Sequence, residues 1–142
     1  MLDNYRDLND ELLGTPAILR ELVTNRGPDN LPDEAITLIA ALRDRDRAVL
    51  ARLRTMTTQR DPYLRALSSD VGEVSADPAS LLAEFDTARG EVVSLLMNLT
   101  LRDWERTAID ETEGETTLAD EVERHVDFDE NQVAKIREAV GA

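Results

Sequence analysis

The sequence predicts an all-α fold, a four-helix bundle formed by a single domain over residues 1–142. Three observations carry this expectation. Four segments space their apolar residues at the helical period, no segment sustains the period-two alternation of β-branched residues that marks a strand, and one long connection separates the second helix from the third. With 42% hydrophobic and 32% charged residues, the chain is too apolar for disorder and has the mixture expected of amphipathic helices around one core.

The first helix is expected from Asp3 to Thr24, where Leu8, Leu12, Ile18, Leu19, Leu22 and Val23 fall on one side. Gly14-Thr15-Pro16 interrupts it. Thr15 suits an N-cap and Pro16 a first helical position, so a kink or a restart is expected there. A loop rich in Gly, Pro and Asn follows at 25–30. The second helix runs from Pro32 to about Thr57 through Ile36, Ile39, Leu42, Val49, Leu50, Leu53 and Met56, with Asp33 and Glu34 where the helix dipole favours acids. One short helical turn is expected within 61–69 and irregular chain over 70–76. Asp77 and Pro78 then open the third helix as N-cap and N1, and Leu81, Leu82, Phe85, Ala88, Val92, Leu95, Leu96 and Leu99 give it a broad apolar face. Gly90 inside it is expected to permit close packing. Residues 101–109 are expected to form a short helix or turn holding Trp104, which seals the end of the bundle. Thr117 and Asp120 form a capping-box variant at the head of the last helix, which carries Leu118, Val122, Val126, Val133, Ile136 and Val140 and stops at Gly141.

Composition removes several classes of function. The chain contains no cysteine, which excludes disulfides, thiolate nucleophiles and Cys-rich zinc sites. Its formal net charge is −14 and its basic residues are interleaved with acids, so nucleic acid is not an expected partner. No stretch is apolar enough to span a bilayer, and Met1-Leu-Asp-Asn-Tyr-Arg6 lacks the basic-then-apolar order of a signal peptide; a cytoplasmic location without membrane contact is expected. The acidic run at 110–115 lacks the EF-hand order and reads as a solvated loop. A single histidine cannot supply the two Glu-x-x-His motifs of a di-iron bundle.

In the last helix His125, Phe128 and Gln132 stand at i, i+3 and i+7 among carboxylates, the one place where a histidine, an aromatic, an amide and acids converge. A lone histidine in an amphipathic helix is more often bonded to a neighbouring carboxylate than used as a ligand or base. Arg52 and Arg89 suit ion pairs inside a bundle and also, less commonly, an anionic substrate.

Several short words in order carry a family resemblance: Thr15-Pro16 in helix one, Ala41-Leu-Arg-Asp44-Arg-Asp46 and Arg52-Leu53 in helix two, Asp61-Pro62, then Phe85-Asp-Thr-Ala-Arg89, Asp103-Trp104-Glu-Arg106 and Gly114-Glu-Thr-Thr-Leu118. Together, over nearly the whole chain, they resemble the DinB/YfiT-like superfamily. The resemblance implies a four-helix bundle, often a homodimer, with a divalent metal such as zinc or nickel held by three histidines, one on helix two and two at i, i+4 on helix four. It also implies the activities of such relatives, which are thiol-dependent S-transferases, isomerases and amide hydrolases. Aligned from Gly114, Thr117 and Leu118, the ligand positions fall on Ala41, Phe128 and Gln132. Ala41 and Phe128 have no lone pair for a metal, and one neutral amide is too weak alone. A shifted register puts the last-helix pair on His125 and Asp129, in a stripe with Glu121, with Asp44 or Asp46 as a helix-two ligand.

Three readings follow. In the first, the family's metal is lost, no cofactor is held, and a cleft of Ala41, Asp44, His125, Phe128, Asp129 and Gln132 between helices two and four serves a small-molecule ligand or a protein partner, in a homodimer. In the second, a shifted zinc or nickel site of His125, Asp129 and Asp44 serves a metal-dependent S-transferase or hydrolase. In the third, the bundle serves assembly alone through an apolar helix face.

Overall fold

A computed structural model describes residues 2–68, 71, 72, 74 and 77–142. It contains α1 (Leu2–Arg26), α2 (Asp33–Thr58), β1 (Tyr63–Leu64), α3 (Pro78–Met97), α4 (Leu101–Trp104), β2 (Thr107–Asp110), β3 (Gly114–Thr117) and α5 (Leu118–Val140), with a 3-10 turn at Pro28–Asn30. Positions 69, 70, 73, 75 and 76 of the expected irregular connection lie outside the described residues.

The four long helices expected from the apolar period are present. α2 packs on α3 and α5, and α1 packs on the same two, so the sequence neighbours α1 and α2 face each other across the bundle. The local signals act as expected at three helix ends. Asp77 accepts from the Ala79 N–H ahead of Pro78, Thr117 and Asp120 form a reciprocal capping box, and Gly141 takes the left-handed conformation at φ 74°. Trp104 is buried and stacks on Tyr5 with ring centroids 4.5 Å apart, closing that end of the bundle.

Five details differ from expectation. α1 is one helix through Pro16, so of the kink or restart expected there the restart does not occur. Residues 63–64 are extended rather than helical. A three-stranded sheet of order β1-β2-β3 is present, parallel between β1 and β2 and antiparallel between β2 and β3. The acidic run is the turn of that hairpin, because Asp110 accepts the Thr112 and Glu113 N–H groups at 2.8 and 3.0 Å and Gly114 supplies φ 75°. Gly90, finally, faces open space: a Cβ there would meet nothing within 4 Å.

The core has two apolar halves. One surrounds Leu12, Val49, Leu53, Val92, Leu96, Trp104 and Val122, and the other surrounds Leu19, Ile39, Leu42, Leu81, Phe85 and Ile136. Each long helix passes from one half to the other through a buried polar residue: Thr15 on α1, Asp46 on α2, Arg89 on α3, and His125 and Asp129 on α5.

Candidate functional site

That polar layer is linked by charge-assisted hydrogen bonds. Arg89 donates through Nε and Nη2 to Asp46 at 2.6 and 2.9 Å, through Nη2 to Asp129 at 2.6 Å, and through Nη1 to the Leu12 carbonyl at 2.8 Å. Leu12 lies four residues before Pro16, so its carbonyl is the acceptor that the proline ring deprives of an N–H. Arg89 replaces the missing donor, which explains how α1 stays helical across Thr15-Pro16. Thr15 adds a hydrogen bond to Asp129. His125 Nε2 lies 2.8 Å from Asp46 Oδ1, while its buried Nδ1 has no partner among the described residues. Burial alone pushes the Asp46 carboxyl up, but hydrogen bonds from Arg89 and His125 and their charges outweigh it and hold the group below its ordinary value. Burial likewise disfavours the Arg89 charge, and Asp46 and Asp129 more than restore it.

Arg52 forms a second buried junction. It grips Glu121 bidentately at 2.8 and 2.9 Å and also pairs with Asp110, tying α2 to α5 and the hairpin. Both arginines therefore have carboxylate partners inside the fold, and Glu121 is occupied by Arg52.

A cleft of about 430 Å³ opens on the outer side of the α2–α5 pair. Ala41, Asp44 and Arg45 line it from α2, and Phe128, Gln132 and Lys135 from α5. Gln132 Nε2 donates to the Leu38 carbonyl at 3.0 Å. The Arg45 guanidinium lies over the Phe128 ring, 4.4 Å from its centroid. Asp44 accepts from Arg43 Nε at 3.0 Å and from the Gly72 N–H at 2.7 Å; burial raises its pKa, and these partners outweigh the rise.

Of the six residues singled out in sequence, the structure brings Ala41, Asp44, Phe128 and Gln132 together in this cleft. It turns His125 and Asp129 into the interior layer. The two pairs occupy neighbouring stripes of α5, 125 with 129 and 128 with 132, so a single face containing His125, Phe128 and Gln132 does not form. Arg45 and Lys135 belong to the cleft and were not singled out for it. The signal was helical spacing: Arg45 is i+4 from Ala41, and Lys135 is i+7 from Phe128.

The donor sets can be tested against a transition ion. In the register with Ala41 and Phe128, Gln132 is the lone polar side chain, and two cationic side chains share its cleft. In the shifted register, His125 Nε2 faces Asp46, Asp129 is held by Arg89 and Thr15, and Asp44 lies on the cleft side. Among the described residues no group of three or more His, Asp and Glu side chains is placed to hold a metal ion. Neither set fits the metal that the resemblance implies.

The first two helices stand diagonally in the bundle and a short hairpin precedes the last, a four-helix-bundle fold that the chain shares with a solved structure. Among solved structures, the chain is similar to YfiT from Bacillus subtilis, described as a probable metal-dependent hydrolase with an unusual four-helix bundle topology. The TM-score is 0.85 at 20% identity, over 98% of this chain and 87% of that one. Neither a family model nor a curated protein matches the sequence. No helix among the described residues is long and apolar enough to cross a membrane.

Proposed function

We propose that this protein is a DinB/YfiT-like bundle that works without the metal of its relatives and binds a small molecule in the α2–α5 cleft. One observation carries the reading. Ala41, Phe128 and Gln132, the positions on which the first register of the resemblance puts the family's three histidines, line one ligand-sized cleft and offer it a methyl group, an aromatic ring and an amide. The catalytic electrophile is gone while the concavity remains. The homodimer implied by the resemblance belongs to the same proposal, and the groove beside the exposed Leu13 and Met97 on α1 and α3 offers it an apolar face.

The competing reading is a metal-dependent hydrolase, as the Bacillus subtilis structure is described, or an S-transferase, built around His125. Its ligands would have to leave Asp46 and Arg89, and uncovering a buried charge in that layer costs about 3–5 kcal/mol. Thermal unfolding of untagged protein with zinc, nickel or manganese separates the two. A ligand that binds the native state alone raises the melting temperature, so the metal-free reading expects no shift and no stoichiometric metal by elemental analysis. A rise of several degrees, abolished by His125→Ala in a variant that still folds, would establish the hydrolase-type site instead.

A further inference from the structure

Acidic residues outnumber basic ones, 30 to 16, so an arginine inside the fold has an abundance of possible partners. Arg43, Arg52, Arg89, Arg106 and Arg124 each meet a carboxylate. Arg45 does not. It is half-buried, no carboxylate oxygen lies within ion-pair distance among the described residues, and its Nε is buried with no hydrogen-bond acceptor. A buried donor without an acceptor is costly, more so when charged, and such an exception calls for a partner.

The surroundings define that partner. Phe128 supports the guanidinium by its face, which leaves the two Nη groups for contact with a ligand. Lys135, the chain's one lysine, lines the same cleft. Asp44 is already occupied by Arg43 and the Gly72 N–H, and among the described residues Arg45 and Lys135 are the charged groups of the cleft with no ion-pair partner. Leu38, Ala41, Ala48 and Val71 supply apolar wall beside these polar groups. Burial also lowers the Arg45 pKa, and the charges of Arg52 and Arg124 add to that effect against Glu121, so an arriving anion relieves a penalty already present.

We propose that the cleft recognises a small amphipathic carboxylate, its carboxylate paired with Arg45 and Lys135 and its apolar body lying against Ala41 and Phe128. This rests on the ligand-binding reading above and deepens it.

Benzoate and its neutral isostere benzamide test this by amide NMR titration of the intact, 15N-labelled protein, with inorganic phosphate as a third probe. The expected result is saturable benzoate shifts at amides of 37–48 and 128–135, at least tenfold weaker binding of benzamide, and no matching response to phosphate. Arg45→Gln should weaken benzoate at least tenfold, Arg45→Lys less, and Lys135→Gln about threefold. Should Arg45→Gln fail to fold, the exposed Lys135 variant and the benzoate-to-benzamide ratio on the native chain still decide. Equal binding of benzoate and benzamide overturns the anion inference while leaving a ligand cleft. Silence of the cleft amides to both overturns the inference and the reading beneath it. A phosphate response equal to benzoate's shows plain charge attraction and overturns carboxylate recognition.

Discussion

Arg89 touches all three of the other long helices, through the Leu12 carbonyl, Asp46 and Asp129, at a position where solvent reaches 1% of its surface. Its value to the fold lies in the penalty for leaving it unsatisfied. Asp46→Asn should lower the unfolding free energy by about 3–5 kcal/mol in urea titrations at pH 7, because one oxygen can no longer balance the guanidinium. The same carboxylate sets an acid limit. Its folded pKa lies below the unfolded value, near 3.9. Its contribution is therefore complete above that value and is lost as the pH falls through the folded pKa. Arg89 from α3 and His125 from α5 face it directly, with Asp129 on the far side of the guanidinium. The stability gap between the native chain and Asp46→Asn should stay wide down to about pH 4 and narrow below it; a gap independent of pH from 7 to 2.5 would show that the fold leaves the Asp46 pKa where the unfolded chain has it. The ion pair for Arg89 was legible in sequence. Its role in rescuing Pro16 was not, since nothing local links positions 16 and 89.

At the scale of elements, what the sequence reveals is what neighbours decide. The caps at Asp77, Thr117 and Gly141 are recognised within four residues of chain, and each helix end forms where expected. The sheet escapes such reading. β1 has two residues and pairs with β2 more than forty positions away, and four residues of Thr-Ala-Ile-Asp are too few to show a period. Gly90 illustrates the converse error, in which a residue type suggests a reason that the packing does not supply. Because the site is exposed, helical and open, Gly90→Ala should stabilise the protein by about 0.5–1 kcal/mol through lost freedom of the unfolded chain, raising the melting temperature by roughly 2–5 °C. A fall in melting temperature would mean that α3 meets a neighbour at this face in solution.

For the molecule as a whole, a TM-score of 0.85 at 20% identity means that the bundle is set by its pattern of apolar faces, with few individual residues required. The chemistry of a site has no such tolerance, since three donors must converge. The cleft was only half legible for this reason: helical spacing identifies which residues share a stripe, but a rotation of about 60° separates the stripe facing the core from the one facing the cleft, and amphipathic patterning does not resolve it for His125 and Phe128. If the scaffold is intact and only its ligands have changed, they can be put back. Ala41→His, Phe128→His and Gln132→His together should create a zinc site with one ligand on α2 and two at i, i+4 on α5, raising the melting temperature by several degrees with zinc where the native chain shows no shift. Arg45 should oppose the incoming cation, so adding Arg45→Ala should tighten zinc binding further. A triple variant that folds yet ignores zinc would mean that positions 41, 128 and 132 do not face a common point, and the alignment with the relatives' histidines would then be wrong even though the fold is the same.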